Sequence, residues 1–233
     1  MARRRFFASA AEGGKASITG PGAAHLARVL RARPGEEHEI AWQGAVYLGR
    51  IEQVQPHAVT FALERELATA APVPDLEVGA ALFNTSHWEW MLEKATELGL
   101  TRLWPLLTRR TDPRWALGAP AGAAKRRARW QQIALQAAEQ SRRATVPDIA
   151  APLTLQAFLA LPAAGARWLL QESPGGVALP PSLPCRLLAG PEGGWEEEES
   201  SAATAAGYVP VSLGPRILRC ETAVIAALVL AGH

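Results

Sequence analysis

Two glycine-bearing turns near the C-terminus hold the residues best placed to do chemistry. The first is Leu187-Leu188-Ala189-Gly190-Pro191-Glu192-Gly193-Gly194-Trp195, and the second runs Val211-Ser212-Leu213-Gly214-Pro215-Arg216-Ile217-Leu218-Arg219-Cys220-Glu221-Thr222-Ala223. Each follows a short apolar run and leads into a helix-like segment. Glycine permits close backbone approach and positive φ while proline fixes the turn, which leaves main-chain N–H and C=O groups free to hydrogen-bond a flat heteroaromatic ligand. A nucleoside pocket is the expectation, with adenosine a fitting occupant; plain tight turns are the alternative. Residue types argue against a phosphate loop, since no Lys-Ser/Thr pair follows the last glycine and no G-x-G-x-x-G opens a strand-to-helix turn. Instead Glu196, Glu197, Glu198 and Glu199 open the next helix. They suit a positive helix N-terminus but would repel phosphate. A ligand without phosphates and with a cationic centre fits better, and S-adenosylmethionine has both properties.

These turns need a scaffold, and the rest of the chain reads as one. Residues 1 to about 70 are mostly β, with runs at 4–9, 15–19, 37–42, 45–53 and 58–63 separated by turn signals such as Gly13-Gly14 and Pro34-Gly35, which predicts a small barrel. A short helix at 23–31 sets His25, Arg28 and Arg31 on one face; with Arg3, Arg4 and Arg5 these are candidates for gripping RNA phosphates, a solvated surface being the alternative. After a linker at Ala70–Pro74 the pattern becomes alternating strand and helix. Strands are expected at 76–83, 102–107, 167–171, 186–189 and 208–211, and helices at 86–98, 125–141 and 221–230. Ser86 and Glu89 read as a capping box, Trp130 and Trp195 as core, and the closing helix as apolar almost all round, to be buried in the core or a subunit contact. The division is residues 1–71 and 75–233. Such alternation implies an α/β domain with a mainly parallel sheet, whose ligands bind at the carboxyl ends of strands, where Gly190 and Gly214 lie.

At 233 residues and 48% apolar content the chain can bury a sizeable core. Its net charge of +2 conceals basic clusters at Arg3–Arg5, at Arg28, Arg31 and Arg33, and at Lys125-Arg126-Arg127 with Arg129. Local basic patches on a near-neutral chain suit nucleic-acid backbone contact. Cys185 and Cys220 share no metal-ligand spacing with the five histidines, so no metal site is expected and both thiols read as small buried hydrophobes. The N-terminus lacks the long apolar stretch of a secretory signal and no later run would span a bilayer, so a cytoplasmic location is expected.

Five motifs taken in order resemble the SPOUT-class ribosomal RNA small subunit methyltransferase E family: Arg5-Phe6-Phe7, His25-Leu26-Ala27-Arg28-Val29-Leu30-Arg31, Lys94-Ala95-Thr96-Glu97-Leu98-Gly99, Glu139-Gln140 with Arg143, and the two C-terminal turns. The resemblance implies an N-terminal PUA-like barrel that helps bind RNA, a C-terminal domain with a trefoil knot, and a homodimer. It also implies methylation of a uridine at N3 in 16S rRNA with S-adenosylmethionine as donor. The knot rests on the resemblance alone, because threaded chains are rare. Cofactor-binding positions matched to the family are Leu188, Gly190, Pro191, Glu192, Gly193, Gly194, Leu213, Gly214, Ile217, Leu218 and Arg219, with the strand end from Leu170 to Glu172. There are also departures. Asn84-Thr85-Ser86 stands where the family usually has Lys-Gly-Asp, Arg109 where glutamate is common, Arg142 where glycine is common and Cys220 where threonine is common. Arg109 and Arg142 are expected to make up for the missing lysine in binding RNA.

Methylating N3 of uracil requires an imide N–H to lose its proton while the ring attacks an electrophilic methyl in line. Alignment and fixed donors aimed at O2 and O4 supply the catalysis. Arg110, Arg143 and Arg219 are the candidate donors, and Glu139 or Glu192 the candidate proton acceptor. Two other readings are a related knotted methyltransferase acting on tRNA or a ribose 2′-hydroxyl, and a non-catalytic RNA-binding or ribosome-assembly protein. The last predicts a degraded cofactor loop, yet both loops are intact.

Overall fold

The computed structural model describes residues 4–67, 74–115, 120–172 and 176–232. The chain divides into two compact units, Met1–Pro72 with Ala138–Val146, and Val73–Ala137 with Pro147–His233.

The first unit is built on β1 (Arg5–Phe7), β2 (Ala10–Glu12), β3 (Lys15–Thr19), β4 (Glu37–Trp42), β5 (Ala45–Val54) and β6 (Ala58–Leu67), with the short helix α1 (Gly20–Ala24) between β3 and β4. They form one six-stranded sheet in the order β1-β4-β5-β6-β3-β2. All neighbours are antiparallel except β1 and β4. Gln43 and Gly44 both take positive φ, which gives the β4–β5 hairpin the tight turn whose twist matches its strands. Apolar side chains from alternate positions meet in a core that includes Phe6, Ile18, Leu26, Ile40, Ile51, Val59 and Phe61. Gly49 leaves the room that Ile40 occupies, since a Cβ there would sit 2.5 Å from Ile40 Cγ1.

Two features of this unit depart from the sequence expectations. The run at 4–9 shortens to β1, and the unanticipated β2 follows it beyond Ser9, whose N–H is bonded to Ser17 O. The helix expected at 23–31 starts at Gly20, with Pro21 in its first turn where a missing N–H costs nothing, and widens into a π-helical turn at His25–Val29. Leu30 N–H accordingly reaches back five residues to His25 O. In that wider turn a three-residue spacing does not stack His25, Arg28 and Arg31 as an α-helix would.

The second unit contains β7 (Leu76–Ala81), α2 (Thr85–Glu97), β8 (Arg102–Leu107), α3 (Pro120–Gln140), β9 (Asp148–Ile149), β10 (Leu153–Thr154), α4 (Leu155–Leu159), β11 (Ala166–Leu170), β12 (Cys185–Ala189), α5 (Glu197–Ala205), β13 (Val209–Val211) and α6 (Cys220–Gly232). The last residues of α3 cluster with the first unit. Among the described residues the seven strands of the second unit run β10-β8-β7-β12-β11-β13, with β9 also on β8, and every pairing is parallel. This is the mainly parallel α/β sheet that the alternation predicts. Every residue of β7 and β12 is buried, as expected for central strands covered on both faces. A charged pair survives there because it is fully engaged: Arg186 binds Glu77 at 2.5 Å and the Pro162 carbonyl at 2.8 Å.

The start of α2 differs from the expected capping box. Asn84 is the N-cap and its side chain accepts from Ser86 N–H at 3.1 Å, while Glu89 is drawn away to Arg129. A carboxylate paired with a guanidinium is not available to the backbone. The closing helix α6 buries Glu221, Val224, Ala227, Leu228 and Ala231 against α2, β7 and β12, and leaves Val229 and Leu230 exposed. Among the described residues no helix is long and apolar enough to cross a membrane.

Candidate active site

Parallel pairing sets the carboxyl ends of three strands side by side. Leu169 of β11 is opposite Leu188 of β12, and Leu170 opposite Val211 of β13. The chain leaving those ends encloses a cavity of about 470 Å³, within the usual size of a small-molecule site. Leu170, Gln171 and Glu172 line it from β11, and Ala189 to Trp195 from the first glycine turn. Ser212, Leu213, Gly214, Arg216, Ile217 and Leu218 line it from the second, with Cys220 and Ala223 of α6.

The glycines shape this cavity in different ways. Gly194 and Gly214 take φ of +72° and +115°, conformations that side chains disfavour. Gly194 N–H closes the first turn on Pro191 O at 2.8 Å. Gly190 serves by close approach, since the Trp195 indole lies against it and a Cβ there would be 3.0 Å from Cε2. That indole donates from Nε1 to Leu170 O at 3.1 Å, tying the turn to the end of β11. Trp195 is half-buried: it packs against the apolar cluster that includes Leu169, Leu188 and Phe158, as expected of a core residue, and also lines the cavity. In the second turn Ser212 Oγ donates to Gly214 O and accepts from Gly214 N–H, at 3.2 and 3.3 Å.

The cavity's charged lining is Glu172, Glu192 and Arg216. The Cys220 thiol is pushed up to about 11, first by burial and then by the fields of Glu192 and Glu221, so it stays protonated at neutral pH. A thiol of that kind is no nucleophile, and no cluster among the described residues could hold a metal ion. What remains is a backbone-rich slot with a negative bias, suited to a planar ligand carrying a cation.

Two arginines flank the first turn. Glu196 and Glu199 cap α5 reciprocally, and the Arg109 backbone N–H donates to Glu199 Oε1 at 2.9 Å. The Arg109 guanidinium meets Glu196 at 3.2 Å and Glu198 at 2.5 Å, and bonding to Glu196 raises its pKa further. It is thus paired with carboxylates at the head of α5 while remaining exposed. Arg110 donates from Nη1 to the Gly193 carbonyl at 2.5 Å and lies 3.5 Å from Glu196 Oε1.

Of the expected cofactor positions, the cavity brings together Leu170, Glu172, Gly190, Pro191, Glu192, Gly193, Gly194, Leu213, Gly214, Ile217 and Leu218. Leu188 is different: it is fully buried in an apolar cluster with Phe158 and Tyr208. Arg219 is exposed and outside the lining, with its carbonyl accepting Ala223 N–H in the first turn of α6. The lining also takes in Gln171 of the expected strand end, and Ala189, Trp195, Ser212, Arg216 and Ala223, which lie within the two turns of the sequence without a local signal that marks them as cofactor contacts.

The remaining expected residues lie in the first unit. Glu139, in the last turn of α3, accepts from Phe7 N–H at 3.4 Å, and burial pushes its carboxyl up to about 7. Burial lowers the pKa of Arg143. Arg5 bonds Glu39 at 2.8 Å and the Arg142 carbonyl, which occupies it structurally rather than leaving it for phosphate. Arg4, His25, Arg28 and Arg31 are exposed, and Arg3 lies outside the described residues.

Residues 69–232, which include all the cavity-lining residues, match the family model of an RNA methyltransferase domain. Ribosomal RNA small subunit methyltransferase E of Synechocystis sp. is 36% identical over 218 residues, spanning 88% of this chain and 68% of the relative. The chain belongs to the ribosomal RNA small subunit methyltransferase E family. Solved structures agree with that membership. The family member from Neisseria gonorrhoeae, bound to S-adenosylmethionine, superposes with a TM-score of 0.83 at 29% identity, over 98% of this chain and 96% of that one. A methyltransferase from Legionella pneumophila in complex with the same cofactor gives 0.85 at 26% identity, over 98% and 96%.

Proposed function

We propose that this protein is an S-adenosylmethionine-dependent methyltransferase that forms 3-methyluridine at a uridine of 16S rRNA in the small ribosomal subunit. The observation that carries the reading is the negatively biased, backbone-lined cavity at the ends of β11, β12 and β13, in a chain whose Neisseria and Legionella neighbours hold S-adenosylmethionine. When bound, the cofactor supplies an electrophilic methyl on a sulfonium. The main chain of Gly190–Gly194 and of Leu213–Leu218 would hold its adenosine, and Glu172 and Glu192 supply the negative field that favours its cationic end.

The uracil N3 proton needs an acceptor whose pKa lies near the working pH. Glu139, titrating near 7, has that property. Glu192 at the cavity is its rival. Arg143 and Arg219 are the proposed donors to the developing charge on O2 and O4. Exposed Arg4, His25, Arg28 and Arg31, with Arg3, would meet RNA phosphates from the first unit, which we take as a PUA-like RNA-binding domain. The second unit is proposed to carry the trefoil knot, and the exposed Val229 and Leu230 of α6 fit a homodimer contact. Acting on ribosomal RNA, the enzyme would work in the cytoplasm.

The test is mass spectrometry of small-subunit rRNA from cells with and without the gene. Loss of one 3-methyluridine on deletion, restored by the wild-type chain, is expected. The same methyl in both strains, or a loss confined to tRNA, sinks the proposal.

A further inference from the structure

The loop after β8 is closed on itself by hydrogen bonds between Thr108 and Thr111. Thr111 Oγ1 accepts from Thr108 N–H at 2.9 Å, the two hydroxyls are 2.9 Å apart, and Thr111 N–H bonds back to Thr108 O at 3.2 Å. From this closed turn Arg109 reaches Glu196, Glu198 and Glu199 at the head of α5, while the Arg110 stem lies over Gly193. A Cβ on Gly193 would stand 3.1 Å from Arg110 Cδ, which is why the arginine can lie so close and reach the carbonyl of that residue. The Gly190–Trp195 turn is thus held at two points, through Trp195 on Leu170 O and through Arg110 on Gly193 O. Between those points the backbone lines the cavity.

We propose that Arg110 is a positioning residue, which fixes the cofactor-binding turn through the Gly193 carbonyl and Glu196 rather than by touching the reacting uracil. The inference rests on the reading that this cavity takes S-adenosylmethionine, and it reassigns a residue whose type alone suggests an oxyanion donor. An exposed ion pair contributes little, but a charged donor on a main-chain carbonyl, braced by a second anchor, restricts the turn's freedom before the cofactor arrives.

The test compares wild type with Arg110→Gln, Arg110→Lys and Glu196→Gln, using calorimetric titration of S-adenosylmethionine and initial rates on small-subunit particles lacking the methyl. Losing one charge-assisted hydrogen bond should weaken cofactor binding about tenfold in Arg110→Gln, raise the cofactor KM in parallel and change kcat at saturating cofactor by no more than about threefold. Arg110→Lys, which keeps a cation able to reach carbonyl or carboxylate, should recover part of the affinity. Glu196→Gln should weaken it about two- to threefold, acting on Arg110 from the other side. Unchanged cofactor affinity in Arg110→Gln overturns the inference. So does a fall of kcat greater than about tenfold at saturating cofactor, the sign of a group acting on the reacting atoms. Should Arg110→Gln fail to fold, the other two variants decide: wild-type cofactor affinity in both Arg110→Lys and Glu196→Gln overturns the inference, as does a fall of kcat greater than about tenfold at saturating cofactor in Arg110→Lys. If the wild-type protein itself gives no heat with S-adenosylmethionine, the cofactor reading falls instead.

Discussion

A hydrogen where other residues have a methyl decides the shape of the cavity at Gly190. A Cβ there would meet three indole atoms of Trp195 at 3.0 to 3.3 Å, so Gly190→Ala must push the ring off its seat and loosen its bond to Leu170 O. We expect S-adenosylmethionine affinity to fall about tenfold, with the thermal midpoint little changed; calorimetry beside a melting curve checks this, and full affinity would show that the indole moves freely. Glu139 gives a prediction of opposite character. Its folded-state pKa, about 7, is above the unfolded value, so the stabilising contribution of the protonated form is complete at low pH and is lost as pH rises through 7. Glu139→Gln should therefore match wild type near pH 4 and exceed its stability at pH 8, by up to about 3 kcal/mol. Urea denaturation at the two pH values measures the difference, and an equal gain at both would rule out burial of the charge as the cause. The same variant should lose methyl transfer if Glu139 is the proton acceptor.

At the level of elements, the chain's period and punctuation were legible, and partner choice was not. β3, β4 and β8 fall on the expected residues because their apolar spacing and flanking turn signals are local. β2, β9, β10 and α4, only two to five residues long, are too short to carry a periodic signal. At the start of α2, Ser86 and Glu89 have the right spacing for a capping box, but Arg129, forty residues on, claims the glutamate. The exit from α3 illustrates a sequence oddity with a backbone reason. Arg142 takes φ of +57°, in the left-handed region where glycine is at home. Its carbonyl is what Arg5 uses, and glycine keeps that carbonyl. Arg142→Gly should stabilise the protein by about 0.5 to 1 kcal/mol, read from the urea midpoint. A loss of stability would mean that the arginine side chain contributes more than its backbone strain costs.

On the scale of the whole molecule, the second unit separates its structural end from its chemical end. Glu77 and Arg186 lock the amino-terminal side of the sheet, and the glycine- and proline-bearing turns gather where β11, β12 and β13 end. Cofactor binding should therefore slow hydrogen exchange mainly in residues 190–195 and 212–220, with little change at 76–79 and 185–187. At a hundredfold excess over Kd, it should add about 2.7 kcal/mol to the stability of the unit that binds it. Protection that left both turns unaffected would place the cofactor elsewhere.

By itself the sequence determined the alternation of strands and helices, the backbone-lined turns at their carboxyl ends, and the family. Those signals are short-range: apolar period, glycine and proline at fixed offsets, and motif order along the chain. Only the tertiary structure decided which side chains meet. Trp195 lies on Gly190 and binds a carbonyl 25 residues away, Arg110 spans 83 residues to Gly193, and Arg5 spans 34 to Glu39. A cationic or aromatic residue has the same local signature whether it waits for a ligand or is already satisfied by a distant neighbour, and folding alone brings that neighbour within hydrogen-bonding reach.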